Sequence, residues 1–460
     1  MCQSPQSDRD RFRILLFRNH TREILVEARD DGFGLPVLAI PKHSRIAKEL
    51  AAAIEDLWSL TAYCLFSLPS NTASECYQIA EAFDTDAAAP LGTNWFPLAS
   101  LADTEFGDRL DCAAIRISLT TLDRYRRNEL QGFFGEPGWL LEVTRWVKAE
   151  AARAGLCLTG KFQQWNACPT FSLIRFETDG PALWFKAVGE PNLHEYRITL
   201  GLVHYFPAYL PRLVASNRDW NAWLCLEVEG EHLTEQSRID TWLTAVTELA
   251  NLQIASDGNG LHLIELGCRD VRAPSLLHQV RPFFDCMAEL MRNQKNATPS
   301  PLTLSEIDEL AGEISKALEE FNESGIPNVL GHLDCSPGNI LVSRERSTLL
   351  DWAEGCVGHP FFTFQYLLEH WRRFHGTDAN TEKTILSAYA TPWESFVSRR
   401  AIAADFQLVP LLAAFAYAAS SPISSKAADD PETAAFLRSL TRRMKRELDA
   451  LRHRRLVCVL

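Results

Sequence analysis

The sequence of 460 residues lacks the features that mark metal-binding, exported and membrane-spanning chains. Twelve cysteines are scattered from Cys2 to Cys458, with no Cys-x-x-Cys pair and no Cys/His cluster at zinc-ligand spacing. The longest apolar run, Phe406 to Ala419, is shorter than the ~20 residues that span a bilayer. The opening residues, MCQSPQSDRDRF, contain no apolar core of an export signal. We therefore expect a cytoplasmic protein in a reducing compartment, without a membrane span.

Positive charge is also in short supply. Lysine and arginine total 46 against 59 aspartates and glutamates, so the formal net charge is −13. A negative surface repels phosphate backbones, which argues against nucleic-acid binding and mildly favours a cationic substrate, although the same acidity also serves solubility. The length exceeds what one hydrophobic core usually organises and predicts more than one domain.

The first hundred residues show the pattern of a small α+β domain. The apolar runs FRILLF and EILVEA, separated by the turn-like RNHTR, predict a β-hairpin, and YCLFSL predicts another strand. Between them, the spacing predicts a helix from Ile46 to Leu60. Its predicted apolar face consists of Ile46, Leu50, Ile54 and Leu57.

This order of elements resembles the Nudix fold over residues 1–110. The resemblance includes a Leu-Pro turn at Leu35 and a Trp-x-Pro-Leu-like phrase at Trp95, and it implies a site where carboxylates hold magnesium against a diphosphate. The helix KELAAAIEDLWSL has only Glu49, Glu55 and Asp56, at the wrong spacing for that site. We expect a non-catalytic relic or docking module, with an unrelated α+β domain as the alternative.

The rest of the chain divides by pattern into three parts. Residues 111–158 are expected to be a connecting segment, polar up to about residue 136, followed by a helix from Trp139 to Ala154. Residues 159–230 predict three strands, a helix from His194 to Phe206 and two further strands. Residues 231–460 show mainly helical periodicity, apart from one hairpin at 340–350.

The most informative segment is GHLDCSPGNILVSRERSTLLDWAEG, from Gly331 to Gly355. It places Asp334 and Asn339 in one loop and delivers Asp351 at the end of a following strand. Phosphoryl transfer needs a carboxylate that orients the acceptor hydroxyl and takes its proton, and oxygen ligands for magnesium. These three side chains therefore predict a phosphotransferase centre.

At these residues the chain resembles the aminoglycoside phosphotransferase and choline kinase-like family, which is related to the protein kinases. The resemblance implies a bilobal protein-kinase-like fold, with a small β-rich lobe and a large helical lobe. In the sequence, this fold would follow the α+β Nudix-like domain. The resemblance also implies Asp334 as the catalytic base, Asn339 and Asp351 as Mg²⁺ ligands, and His332 as a support of the loop.

The same resemblance assigns nucleotide-binding residues upstream. Lys186, in the apolar strand LWFKAV, would grip the α- and β-phosphates, and Glu195 on the next helix would pair with it. A lysine inside an apolar strand is costly unless it is paired, which supports this pairing. Glu227, Val228 and Glu229 would form the hinge that meets the base of ATP or GTP.

Two departures from the family pattern stand out. The stretch QQWNACPTF, where many kinases have a glycine-rich loop over the phosphates, contains no glycine, so Asn166 or the backbone of 167–170 would have to serve instead. Thr363 stands where the family tends to place an aspartate that anchors the catalytic loop, and a hydroxyl bonds more weakly than a carboxylate.

The sequence thus predicts a small-molecule kinase that uses Mg²⁺ and ATP or GTP and phosphorylates a small hydroxyl acceptor, aminoglycoside-, choline- or sugar-like. Tyr366, Trp371 and Trp393 could stack on that acceptor, although core packing is the more common role of such aromatics. A nucleotide-binding pseudokinase or regulatory scaffold, a protein kinase and a Nudix-type hydrolase are the alternatives. The oligomeric state is left open.

Overall fold

The computed structural model describes the chain at residues 8–18, 22–68, 75–84, 86–100, 106–234, 237–296, 298–344, 346–376, 378–420 and 430–457. The chain forms two compact units. The first unit consists of residues 1–196 and 212–227, and the second of residues 197–211 and 228–460.

The first unit begins with a seven-stranded mixed sheet and a helix that packs on it. The sheet follows the order β3-β2-β1-β6-β5, with β4 paired to β1 and β7 paired to β2. The predicted hairpin is confirmed, because β1 and β2 are antiparallel neighbours. The elements are β1 (Arg9–Arg18), β2 (Glu23–Arg29), β3 (Gly32–Gly34), β4 (Val37–Pro41), α1 (Ile46–Trp58), β5 (Ala62–Leu68), β6 (Glu75–Ala82) and β7 (Thr93–Pro97).

The buried face of α1 differs from the predicted one. Leu50 and Ile54 are buried as expected, but Ile46 and Leu57 are 45% and 66% exposed. Ala47 takes the remaining core position. The stripe is therefore narrower than the four apolar residues suggested, and the small alanine lets the helix approach the sheet closely.

The segment expected to be a polar connection up to residue 136 contains a helix that the sequence pattern did not predict. The helix α2 (Arg109–Arg126) occupies most of that segment and buries Cys112, Ile115 and Leu122 on one face. Asp111, fully buried on the same helix, accepts hydrogen bonds from Arg13 of β1 at 2.6 Å and from the amide of Leu35 at 3.0 Å. The sequence of α2 looks polar because its arginines lie at exposed positions and Asp111 lies on its buried face. The predicted helix after it is confirmed as α3 (Trp139–Arg153).

A second sheet completes the first unit, and its predicted order of elements is confirmed. Five antiparallel strands follow the order β11-β12-β10-β9-β8. Residues Ile174, Phe185 and Leu224 on one face join a core shared with β5, α2 and α3. The elements are β8 (Leu158–Cys168), β9 (Phe171–Thr178), β10 (Leu183–Ala187), α4 (His194–Tyr205, which continues into the second unit), β11 (Leu213–Asn217) and β12 (Ala222–Leu226).

The second unit is mainly helical, as the sequence predicts. Two small three-stranded sheets, β13-β16-β17 and β14-β18-β15, carry the motif segment, and the predicted hairpin at 340–350 is confirmed as β16 and β17. The elements are β13 (Glu231–His232), α5 (Ile239–Ala255), α6 (Gly260–Leu266), β14 (Arg269–Val271), α7 (Ala273–Arg292), α8 (Leu304–Glu323), β15 (Val329–His332), β16 (Ile340–Val342), β17 (Ser347–Leu349), β18 (Gly355–Gly358), α9 (Phe361–His375), α10 (Ala379–Ala390), α11 (Arg399–Ser420) and α12 (Pro431–Val457).

One helix of the second unit is apolar over an unusual length. Within the described residues, Arg399–Ala419 of α11 is long and apolar enough to cross a membrane by length and composition alone, and 56% of it is buried inside the protein. Phe415, which is fully buried, contacts Phe283 and Phe284 of α7. Core helices have this same character, so the helix is weak evidence for a membrane span.

The domain boundaries proposed from the sequence remain a prediction. The boundaries at residues 110 and 158 fall inside the first compact unit, and the boundary at 230 lies close to the end of its last segment. The Nudix resemblance of residues 1–110 likewise remains an interpretation of the sequence pattern, because no comparison supports it.

Candidate active site

Asp334 and Asn339 lie in the loop that follows β15. The side-chain amide of Asn339 donates to the main-chain carbonyl of Asp334 at 2.9 Å and lies 3.5 Å from its carboxylate Oδ2. Asn339 is the last residue of a 3-10 turn, Pro337–Asn339, and its main-chain amide donates to the carbonyl of Ser336. The loop thus presents a partly buried carboxylate and a partly buried amide side by side.

His332 ties this loop to the strand end that carries Asp351. Its Nδ1 accepts from the amide of Asp334 at 3.1 Å, and its Nε2 donates to the carbonyl of Leu350 at 3.2 Å. Burial lowers the pKa of this histidine, against the opposing effect of Asp334. The ring is therefore the neutral tautomer in the folded protein, and its two nitrogens hold the two sides of the site together, in keeping with the support role expected of it.

Thr363 anchors the same loop from α9. Its hydroxyl, completely buried, accepts from the amide of His332 at 2.8 Å. Gly331 makes this contact possible, because a Cβ there would lie 2.8 Å from the hydroxyl of Thr363 and 2.8 Å from the sulfur of Cys356. A hydroxyl thus occupies the anchoring position that the family pattern gives to an aspartate.

Asp351 lies between β17 and the 3-10 turn Trp352–Glu354 with its backbone in the left-handed region, at φ 61°. Aspartate and asparagine tolerate this conformation better than most residues. Asp351 is exposed, whereas Trp352 is buried with its ring 5.1 Å from that of His332. The buried tryptophan fixes the turn, and the carboxylate before it is presented to solvent.

Tyr366 belongs to the site, which sequence reasoning did not single out from the other aromatics. Its hydroxyl donates to Oδ1 of Asp334 at 2.9 Å. Burial, together with the adjacent Asp334, raises the pKa of this tyrosine. Its position three residues after Thr363 on α9 is one helical turn, which was the available signal.

The other residues considered around the site have structural roles. Trp371 and Trp393 are buried core residues, so they do not stack on an acceptor. Glu354 forms a two-pronged ion pair with Arg269 of β14, at 2.6 and 2.7 Å. Glu354, the residue before β18, therefore links that strand to β14 of the same small sheet.

In the first unit, Lys186 and Glu195 form the expected pair. Lys186 Nζ lies 2.5 Å from Glu195 Oε1, with the two side chains 14% and 2% exposed. The ammonium also lies 5.6 Å from the ring centre of Trp223 and 6.0 Å from that of Phe171. Because the Lys186 ammonium is paired and lies among aromatic rings, its position is fixed, which suits an electrostatic role toward phosphate oxygens.

Glu227, one residue of the proposed hinge, forms hydrogen bonds through its amide and its carboxylate. The amide of Glu227 donates to the carbonyl of Ala182 at 2.8 Å. Its carboxylate receives Arg175 Nε and Nη2 at 2.6 and 2.8 Å and the indole of Trp184 at 3.1 Å, and the Arg175 hydrogen bond lowers the pKa of Glu227. The amide and carboxylate of Glu227 therefore stabilise the end of the sheet, and the hinge assignment of Glu227, Val228 and Glu229 remains a prediction.

The donor set of the second unit fits magnesium. The amide nitrogen of Asn339 bonds to Asp334, so its Oδ1 would be the atom that binds a cation, and Asp351 adds an exposed carboxylate. In the described part of the chain, no group of three or more His, Cys, Asp or Glu side chains could enclose a metal ion. Magnesium in phosphoryl-transfer sites is typically held by one or two carboxylates plus substrate phosphates, so a sparse protein donor set is suitable.

Together, the paired Lys186 and Glu195 on a five-stranded sheet and the Asp334 loop in a helical unit define a kinase-like fold. Residues 208–396 match the family model described as "Phosphotransferase enzyme family". The predicted resemblance to a phosphotransferase family is thus confirmed over these residues, which make up less than half of the chain.

Solved structures with similar folds are low in sequence identity. A choline kinase from Cryptosporidium parvum Iowa II is 14% identical, with a TM-score of 0.46 over 67% of this chain and 97% of that chain. A Plasmodium vivax ethanolamine kinase is 11% identical, with a TM-score of 0.44 over 63% of this chain and 82% of that chain. A macrolide 2'-phosphotransferase from Brachybacterium faecium is 18% identical, with a TM-score of 0.41 over 64% of this chain and 96% of that chain. No curated protein sequence matches the chain significantly.

Proposed function

We propose that the protein is a small-molecule kinase that transfers the γ-phosphoryl group of ATP or GTP to a hydroxyl group of a small acceptor. The observation that carries this proposal is the double contact of His332. By bonding both the amide of Asp334 and the carbonyl of Leu350, it holds the Asp334 loop against the strand end that leads into Asp351. A base and metal-binding oxygens are thereby kept in one place, as phosphoryl transfer requires.

Asp334 is the proposed base. Its Oδ2 faces the amide of Asn339 and its Oδ1 accepts from Tyr366, so the orientation of the carboxylate is set from two sides. The acceptor hydroxyl gives its proton to Asp334 as its oxygen bonds to the γ-phosphorus and the bond to the β–γ bridging oxygen breaks. The nucleoside diphosphate leaves with the electron pair of that broken bond.

Asn339 and Asp351 would hold magnesium, which neutralises charge on the phosphate oxygens when it is bound. Lys186, aligned by Glu195, would add a positive charge for the α- and β-phosphates. Both roles place charge where phosphoryl transfer most needs it, because the transferred group carries negative charge on three oxygens.

Nucleotide affinity tests the proposal directly. Calorimetry with ATP and GTP, with and without magnesium, compares the wild type with Asp351→Asn, a substitution that tolerates the left-handed backbone at this position. Asp240→Asn, an exposed position on α5, is the matched control. We expect magnesium-dependent binding in the wild type and the control, and its loss in Asp351→Asn.

A nucleotide-binding pseudokinase or scaffold is the second candidate, favoured by the absence of glycine from QQWNACPTF. Screening aminoglycosides, choline-like alcohols and sugars for nucleoside diphosphate release distinguishes the two. Binding without turnover on any acceptor supports the scaffold, whereas folded wild-type protein that binds neither nucleotide refutes both.

A further inference from the structure

The turn between β8 and β9 is where the family resemblance places the loop over the nucleotide phosphates. β8 is an edge strand of its sheet, and β5 is an edge strand of the other sheet in the same compact unit. An edge strand is paired on one side only, so contacts from outside its own sheet help to hold the turn at its end in one position. The first unit provides such contacts at three places.

Gln164 of β8 provides the first support. Its side chain is 1% exposed, accepts from the amide of Cys64 at 2.8 Å and donates to the carbonyl of Cys64 at 3.0 Å. The carboxamide thus exchanges both bonds with one residue of β5, as a paired strand residue would. The two sheets are fastened edge to edge two residues before Asn166.

The start of α1 provides the second support. Arg45 Nη1 donates to Oδ1 of Asn166 at 3.0 Å, and its guanidinium lies 5.3 Å from the ring centre of Trp165. Lys48 places its ammonium 4.6 Å from the same ring. Ala167, the next residue of the strand, packs against the core that α1 forms with the first sheet.

The segment before α3 provides the third support. The amide of Phe134 donates to the carbonyl of Pro169 at 3.0 Å. Gly132, at φ 124°, permits this approach, because a Cβ there would lie 2.4 Å from the same carbonyl oxygen. Gly189, shortly after β10, also lies close to the turn, because a Cβ there would lie 2.5 Å from the Cβ of Thr170. The glycines that a glycine-rich phosphate loop would contain are found instead at Gly132 and Gly189, in the two segments that pack closely against this turn.

We propose that the amino-terminal sheet and α1 hold the β8–β9 turn in its nucleotide-binding position, with Arg45 and Gln164 as positioning residues. This inference rests on the proposed nucleotide-binding function and gives the amino-terminal region a role in it. When only a fraction of molecules has a binding-competent loop, the apparent dissociation constant rises by the inverse of that fraction. Support built into the fold keeps that fraction high, as preorganisation does in other binding sites.

The test uses Arg45→Ala and Gln164→Ala in the full chain, with Arg127→Ala as control. Arg127 is 68% exposed and follows α2. Since one hydrogen bond contributes modestly, we expect the dissociation constant of Mg-ATP to rise about three- to tenfold in Arg45→Ala and Gln164→Ala. Hydrogen exchange of the amides of residues 166–168 and 170 should speed up in both variants and stay unchanged in Arg127→Ala. Arg45→Lys, which keeps a cation near Trp165, should recover part of the affinity.

The outcomes separate this inference from the function on which it rests. Wild-type protein without affinity for Mg-ATP or Mg-GTP contradicts the proposed function. Wild-type affinity with unchanged dissociation constants in Arg45→Ala and Gln164→Ala overturns the positioning role alone, even if hydrogen exchange speeds up. If the buried Gln164→Ala variant does not fold, the dissociation constant of Arg45→Ala alone tests the positioning role, because Arg45 is exposed and its substitution leaves the core intact.

Discussion

The two loops proposed to act on the nucleotide are held in place in opposite ways. In the second unit, Asp334 is positioned by His332, Asn339 and Tyr366, which lie 2, 5 and 32 residues away along the chain. In the first unit, Gln164 and Asn166 are held by residues 100 and 121 positions away. The loop that is proposed to do the chemistry is built from its own neighbourhood, whereas the loop proposed to cover the phosphates depends on a separate sheet. Variants can break or sharpen this comparison.

The largest effect is expected from Asp334→Asn. The amide keeps the shape of the side chain but cannot take the acceptor proton, so kcat should fall about 10²- to 10⁴-fold while Mg-ATP still binds. Steady-state kinetics with an acceptor from the screen, together with calorimetry, measure both quantities. Asp240→Asn is again the control. A kcat within a few-fold of the wild type would remove Asp334 from the role of base.

Lys186→Met tests whether the pair in the first unit contributes to its stability. The variant leaves the carboxylate of Glu195, which is 2% exposed, without its closest cation. Breaking a buried pair costs about 3 kcal/mol of unfolding free energy. Urea unfolding should show this loss and its partial recovery in the double variant Lys186→Met/Glu195→Gln. Equal stability of the single and double variants would contradict the coupling of the two side chains.

Tyr366→Phe removes one hydrogen bond to Asp334 and leaves the ring in place. We expect kcat to fall about three- to tenfold, the size of one typical hydrogen bond, with Mg-ATP affinity unchanged. Tyr205→Phe, on the exposed end of α4, is the control. An unchanged kcat would mean that Asn339 and the loop backbone alone orient the carboxylate.

The smallest effect concerns pH and the buried His359, whose Nε2 lies 3.0 Å from Asp405. Burial lowers the pKa of His359, although Asp405 opposes the shift. The folded protein therefore keeps the ring neutral, while the unfolded chain takes up a proton below about pH 6.5. Because the unfolded state then binds more protons, stability should fall as pH decreases through that range.

Urea midpoints at two pH values, on either side of the ordinary histidine pKa, measure this effect. The midpoint of the wild type should drop more on acidification than that of His359→Gln, while the exposed His278→Gln should behave like the wild type. Identical pH dependence in all three proteins would show that His359 does not take up a proton on unfolding.

The signals for the proposed site of the second unit are local in the sequence. Asp334, Asn339 and Asp351 lie on one loop and hairpin, and Thr363 was expected to anchor the loop because of its distance beyond the strand that precedes Asp351. Tyr366 was left among the core aromatics, since only the folded helix shows that its hydroxyl reaches Asp334. Glu227 was assigned to a hinge, and only the structure shows that its amide and carboxylate bond within the sheet.

The amino acid sequence by itself indicated the proposed site around Asp334, the lysine–glutamate pair and most strands and helices, because spacing along a strand or helix decides which neighbouring side chains meet. Only the tertiary structure revealed α2 as a helix, the two-way bonding of Gln164 to Cys64 and the contact of Arg45 with Asn166. Those contacts join residues far apart in the chain, and their partners follow from how two sheet edges pack, which no local pattern encodes.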